Sequence, residues 1–134
     1  MSEDANKKVV LKYVKAFNRG DSVTLGKLFA PKAQIFGVLG WGGLDKALPI
    51  WQELHESFAI NLHVDDMVAG GNVVAVRYTE RGTSLKAFRG QPATNKSYEI
   101  VAMEWFIIEN NRISSRWGAR DSAAQFRQME ISIS

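Results

Sequence analysis

Residues 97–120 read SYEIVAMEWFIIENNRISSRWGAR, and the reading of this stretch decides the fold. From Ser97 to Glu109 it is rich in aromatic and β-branched residues. Asn110-Asn111 is a turn signal, and Arg112–Arg120 resumes a period of two. Two strands joined by so short a turn predict an antiparallel hairpin. Working backwards, Val73–Gly82 is the next strand, with Val74, Val76 and Tyr78 on one face and Ala75, Arg77 and Thr79 on the other. Gly70-Gly71-Asn72 joins it to a strand over Asn61–Ala69. Gly90–Lys96, which holds Pro92 and Asn95, reads as a loop. Working forwards, a last helix starts near Asp121 or Ser122, and Ser122 and Gln125 stand at capping-box spacing.

Before Phe58 the period is helical. Val10, Tyr13, Val14 and Phe17 recur at three and four residues, Ser2 or Asp4 can cap the start, and Gly20 can end the helix. Asp21 and Ser22 offer caps for a short second helix that buries Leu25, Leu28 and Phe29 and stops at Pro31. Gln34–Val38 reads as a short strand, broken by Gly40-Trp41-Gly42-Gly43, which we take as a mouth loop with Trp41 as its lid. A third helix covers Asp45–Phe58, with Pro49 expected in its first turn. Helices clustered before a meander of strands define an α+β domain. The expected architecture is a cone: a curved antiparallel sheet with three N-terminal helices on one face, enclosing an apolar cavity.

The chain of 134 residues is the size of one domain, and we read 1–134 as a single unit. Its hydrophobic share of 46% and charged share of 23% are those of a globular protein rather than a disordered tail or a coiled coil. Cysteine is absent, which excludes disulfides and thiolate catalysis, and the two histidines, His55 and His63, leave little for a metal site. We expect no metal and no cofactor. No run reaches the ~20 apolar residues of a membrane span, and the start MSEDANKK lacks the apolar core of a signal peptide. A cytoplasmic location is expected. The net charge of +3 is spread among alternating signs, so a nucleic-acid partner is not expected.

Several blocks carry a family resemblance. They are Val73-Val74-Ala75-Val76-Arg77-Tyr78 with Arg81-Gly82-Thr83, then Phe88-Arg89-Gly90-Gln91-Pro92-Ala93-Thr94, then Arg112-Ile113, Arg116-Trp117 and Asp121, and finally Gln125 and Gln128. Phe17-Asn18-Arg19-Gly20-Asp21 is similar to the same fold's opening. In this order the blocks resemble the SnoaL-like polyketide cyclases, within the nuclear transport factor 2-like cone fold. The resemblance covers nearly the whole chain. It implies a small apolar or aromatic, polyketide-like ligand and cofactor-free acid/base cyclisation or isomerisation. The alternative it leaves open is a non-catalytic binder on the same fold, because a fold alone does not fix an activity.

The cyclases this chain resembles use an aspartate at the position of Asp121 to take a proton from carbon beside a carbonyl. An apolar surrounding suits a carboxylate to that work. At the start of the last helix, the same residue could simply be a cap. The resemblance turns the Trp117/Asp121 face of the last strand towards the cavity, with Ile113, Ser115 and Ala119. It turns Val101, Met103, Trp105 and Ile107 of the preceding strand the same way. The expected ligand-binding set is Tyr13, Trp41, Trp51, Tyr78, Met103, Trp105 and Trp117, and His55 is the expected proton carrier beside Asp121. The histidine or amide that such cyclases place on the strand before the last is replaced by Trp105 or Ile107.

The opposite face is then expected to carry Tyr98, Ile100, Ala102, Phe106 and Ile108, with Arg116, Arg120, Arg77 and Glu104 around them. So apolar an outer face predicts a homodimer through the sheet.

Overall fold

The computed structural model describes residues 2–37 and 40–132. Helix α1 (Glu3–Arg19) is capped by Ser2, whose side chain accepts from the Ala5 amide, and it ends at Gly20 in the left-handed region. Asp21 caps α2 (Ser22–Leu28). Strand β1 (Phe29–Gly37) follows without a break and runs through Pro31, so the strand is longer than the sequence implied. Val38, the expected end of that strand, lies outside the described residues. Gly40–Gly42 is not a loop but a short strand, β2, antiparallel to β1. Helix α3 (Leu44–Phe58) holds Pro49 as its sixth residue, in the second turn rather than the first.

Four long strands follow, β3 (Asn61–Gly70), β4 (Val73–Thr83), β5 (Ser97–Glu109) and β6 (Arg112–Arg120), and α4 (Ser122–Met129) closes the domain. The sheet order is β2-β1-β6-β5-β4-β3. The chain is thus α+β, with a curled, unclosed six-stranded sheet. It is not wholly antiparallel: β1 returns from the helical region to pair with β6 in parallel.

One core fills the space between sheet and helices. Tyr13, Phe58, Val74, Tyr78, Phe106, Ile113 and Met129 are completely buried in it. At about 25 cal/mol per Å² of apolar surface, each such aromatic contributes several kcal/mol of burial. The sheet meets this core with the face opposite to the one expected. Tyr98, Ile100, Ala102, Glu104, Phe106 and Ile108 point inwards, whereas Val101, Met103 and Trp105 are about half exposed on the outside.

Two physical causes account for the reversal. Strand β5 is apolar on both sides, so its alternation carries no direction. Strand β6 contains a bulge: Ile107 pairs with Ser115, but Ile108 pairs with Ile113, leaving Ser114 as the extra residue, its hydroxyl on the Ile107 carbonyl. Ile113 is therefore inside, and so are Arg116 and Arg120, while Trp117 faces out. A strict period of two carried from Ile113 puts Trp117 and Asp121 in the core; the inserted residue moves them to the other face.

Candidate functional site

Two carboxylates stand among the inward-facing apolar residues of the sheet. Glu104 is 7% exposed and Glu80 is 2% exposed. Neither is left alone. Arg116, opposite Phe106 on β6, donates through Nε to Glu104 Oε2 at 2.6 Å, and its Nη2 forms a further contact with the same carboxylate. Arg120 grips Glu80 in a fork through Nε and Nη2. Tyr13 donates to Glu104 at 2.9 Å and Tyr98 donates to Glu80 at 2.5 Å. Burial pushes the Tyr13, Tyr78 and Tyr98 phenols well above their ordinary value, and the adjacent Glu104 or Glu80 charge adds to this. Burial disfavours the Arg116 charge, but the Glu104 and tyrosine surroundings outweigh it and raise its proton affinity further.

Gly118 makes the Arg116 geometry possible. A Cβ there would stand 2.6 Å from Arg116 Nη2, so the glycine leaves the space in which the guanidinium folds back over the strand. From that position Arg116 also donates through Nη1 to the Phe36 carbonyl at 3.0 Å and lies 5.4 Å from the centre of the Trp51 ring.

Arg116 and Arg120 form one wall of a pocket of about 330 Å³. Helix α3 contributes Ala47, Ile50, Trp51 and Leu54, with Lys46 at its start. Ile35, Gly37 and the β2 segment Gly40, Trp41 and Gly42 form a second side, and the β4–β5 loop adds Phe88, Arg89 and Gln91. Ser122 and Phe126 of α4 complete it with Ile131 and Ser132. The lining is largely apolar, with a few polar side chains set among it: Lys46, Arg89, Gln91, Arg116, Arg120 and two serines. Every charged lining residue is a cation.

The residues expected at the site are dispersed. Trp41 and Trp51 line the pocket. Tyr13 and Tyr78 are buried in the core behind it; Tyr13 meets the pocket wall through its bond to Glu104 and through Trp51, whose ring centre lies 6.1 Å from its own. Met103, Trp105 and Trp117 are on the outer face and cannot reach a ligand in this pocket. Asp121 is exposed and caps α4, accepting from the Ala124 amide at 2.9 Å. His55 packs against Gly20 at the end of α1, where an added Cβ would meet its ring at 2.4 Å. Neither Asp121 nor His55 is among the lining residues, and no hydrogen bond joins them.

Sequence reasoning missed Arg116 and Arg120, although a signal existed. Glu80 and Glu104 interrupt apolar alternations on β4 and β5, and the two arginines occupy one phase of β6 with a glycine between them. Read as complementary charges, these four residues mark the inner face.

Among the described residues, no group of three or more histidines, aspartates or glutamates could hold a metal ion. No described helix is long and apolar enough to cross a membrane.

A curled sheet cradling helices over an apolar pocket defines the nuclear transport factor 2-like class of domains. The sequence model of the SnoaL-like polyketide cyclases matches residues 7–129, and the chain belongs to that family. Among solved structures it is similar to IdmH from Streptomyces antibioticus, a candidate polyketide cyclase, with 26% identity and a TM-score of 0.83 over 94% of this chain and 99% of that one. It also resembles AclR from Streptomyces galilaeus, a candidate hydroxylase, with 18% identity and a TM-score of 0.87 over 96% and 98%. A candidate polyketide cyclase from Xanthomonas campestris aligns at 20% identity with a TM-score of 0.84 over 95% and 98%. At those two identities the likeness is one of fold. No curated protein sequence matches the chain significantly.

Proposed function

We propose that this chain binds a small, largely apolar, polyketide-like ligand in the pocket between α3, β6 and α4. The observation that carries the reading is the pocket itself: aromatic and aliphatic walls from Trp51, Ile50, Leu54, Phe88 and Phe126, with oriented N–H donors on one side. Membership of the SnoaL-like family supports the ligand class.

A second reading adds catalysis. It is favoured by one feature: Asp121 sits between Arg120 and Ser122, both of which line the pocket. From that rim a carboxylate could take a proton from carbon beside a ligand carbonyl and return it after ring closure. Asp121→Asn separates the two readings, because asparagine caps a helix as well as aspartate does but cannot accept the proton. Under the binding reading, affinity for an aromatic polyketide, measured by tryptophan fluorescence, changes less than threefold and cyclisation of that polyketide stays at its background rate with either protein. Cyclisation by the wild type that falls at least a hundredfold in Asp121→Asn, at unchanged melting temperature, makes Asp121 the base.

The proposed partner is a second copy of the chain, docked through the outer face of the sheet. That face carries an apolar row from edge to edge. Val68 pairs with Ala75, Ala75 with Trp105, Trp105 with Trp117, Trp117 with Phe36 and Phe36 with Trp41. The residues first assigned to this interface, Phe106 among them, are in the core, and Trp105, Trp117, Met103 and Val101 take their place.

A further inference from the structure

We infer that the ligand of this pocket carries an anionic oxygen, a carboxylate or an enolate, and that Arg116 and Arg120 receive it. The inference rests on the pocket being the ligand site and specifies the chemistry that the site selects.

The donor count is the first argument. A guanidinium has five N–H groups and no acceptor. Arg116 uses Nε and Nη2 on Glu104 and one Nη1 hydrogen on Phe36. Arg120 uses Nε and Nη2 on Glu80. Each therefore keeps N–H groups beyond those bonds, on side chains that are 10% and 15% exposed, and both side chains line the pocket. A ligand oxygen accepting from these N–H groups would form charge-assisted hydrogen bonds, the stronger kind.

Preorganisation is the second. The carboxylates behind the arginines hold them in place and pay their burial cost before any ligand arrives. Gly118 leaves room for the Arg116 guanidinium, which lies against the Trp51 ring. The two residues are four apart on one strand, about 13 Å between Cα atoms. They therefore face separate parts of an extended ligand, or converge on one group at its end.

Charge bias is the third. Lys46 and Arg89 add cations at the lining, Arg89 in an ion pair with Glu53, and no aspartate or glutamate is among the lining residues described. An anion entering this apolar space meets donors at every polar position and no repelling carboxylate in contact. A cation finds no carboxylate among the described lining residues.

The test compares three flat aromatic probes by calorimetry. One is 2-naphthoate, a carboxylate. One is the enolate of 2-acetyl-1,3-indandione. One is methyl 2-naphthoate, which has the naphthoate shape without the charge. The expected result is that at least one anion binds tenfold or more tightly than the ester, and which anion does so identifies the oxygen type. A second protein replaces both members of one pair, Glu80→Gln with Arg120→Gln, so that no buried charge is left unpaired. In it the anion preference should shrink to threefold or less, with ester affinity and melting cooperativity kept. Should that variant fail to fold, ionic strength decides on the wild type. A preference that survives a tenfold rise in salt belongs to the buried arginines, whereas one that vanishes belongs to surface Lys46 or Arg89 and overturns the assignment. Ester binding equal to or tighter than both anions overturns the inference and leaves the pocket reading standing. If none of the three binds, both fall.

Discussion

Buried charge explains most of what separates the sequence reading from the structure at the level of single residues. Strand alternation alone places Arg116, Arg120 and Glu104 on the outer face, in agreement with the rule that charged side chains face water. The rule fails where each charge has its partner within reach, and here every one does. Once Glu104 is inside, the tyrosines follow, because Tyr13 needs its carboxylate and Tyr98 needs Glu80. All three tyrosines of the chain are consequently buried, with phenols driven up first by burial and then by a neighbouring carboxylate. The sign of the pH effect follows. Unfolded phenols lose their protons near about 10, while the folded protein keeps them beyond that. Above pH ~10 the native state binds more protons than the unfolded one, so stability falls as pH rises; below that value these groups contribute no slope. An ultraviolet titration of phenolate should show no tyrosine ionising near pH ~10 and all three appearing together with loss of circular dichroism. A tyrosine that titrates reversibly near 10 in the folded protein contradicts the burial assigned to it.

At the level of elements, the legible features were those set by local chemistry. The ends of β5 and β6 coincide with the expected ones, because Asn110 and Asn111 take the left-handed conformations that a tight hairpin demands. Ser2, Gly20 and Asp21 cap and terminate helices as their residue types dictate. What was not legible depends on distant partners. The parallel pairing of β1 with β6 joins residues some 80 positions apart, as the Arg116–Phe36 hydrogen bond does. The Ser114 bulge has no marker such as glycine, and it shifts the phase of every residue after it. Asp121 illustrates the difference. Its cap bond to Ala124 is a local property, and it is present. Asp121→Ala removes this bond and should cost about 1 kcal/mol of stability, read as a lower denaturant midpoint at unchanged m-value. Ligand affinity should hold within a factor of about two, since the side chain does not line the pocket. A loss of affinity without a loss of stability would mean that the carboxylate turns into the pocket when it is occupied.

At the level of the whole molecule, the sheet has one face committed to the core and one that water should not own. The outer face of an antiparallel sheet is ordinarily polar. Here Trp105 is 50% exposed, Met103 52% and Val101 56%, and Trp117 extends the same row to the buried Phe36. The five longer strands, at about 4.8 Å spacing and about 30 Å in length, make a face of about 700 Å², close to the ~800 Å² per partner of a stable interface. Charges of both signs, Asp65 with Arg77 and Arg81 with Glu99, stand beside the row. The decisive substitution is Trp105→Glu. The side chain is half exposed and leaves the core and the pocket untouched, so the monomer should fold and keep its ligand affinity. Two carboxylates brought together at a two-fold would be desolvated without partners, and the dimer should weaken at least a hundredfold. Phe106→Glu, one residue along, should instead abolish folding, since Phe106 is fully buried with its ring 5.1 Å from that of Tyr13. Sedimentation equilibrium at micromolar concentration reads both outcomes. Wild type should run at twice the 15.0 kDa chain mass and Trp105→Glu at the chain mass. A wild type that stays at the chain mass across the concentration range removes the second copy as the partner of this face.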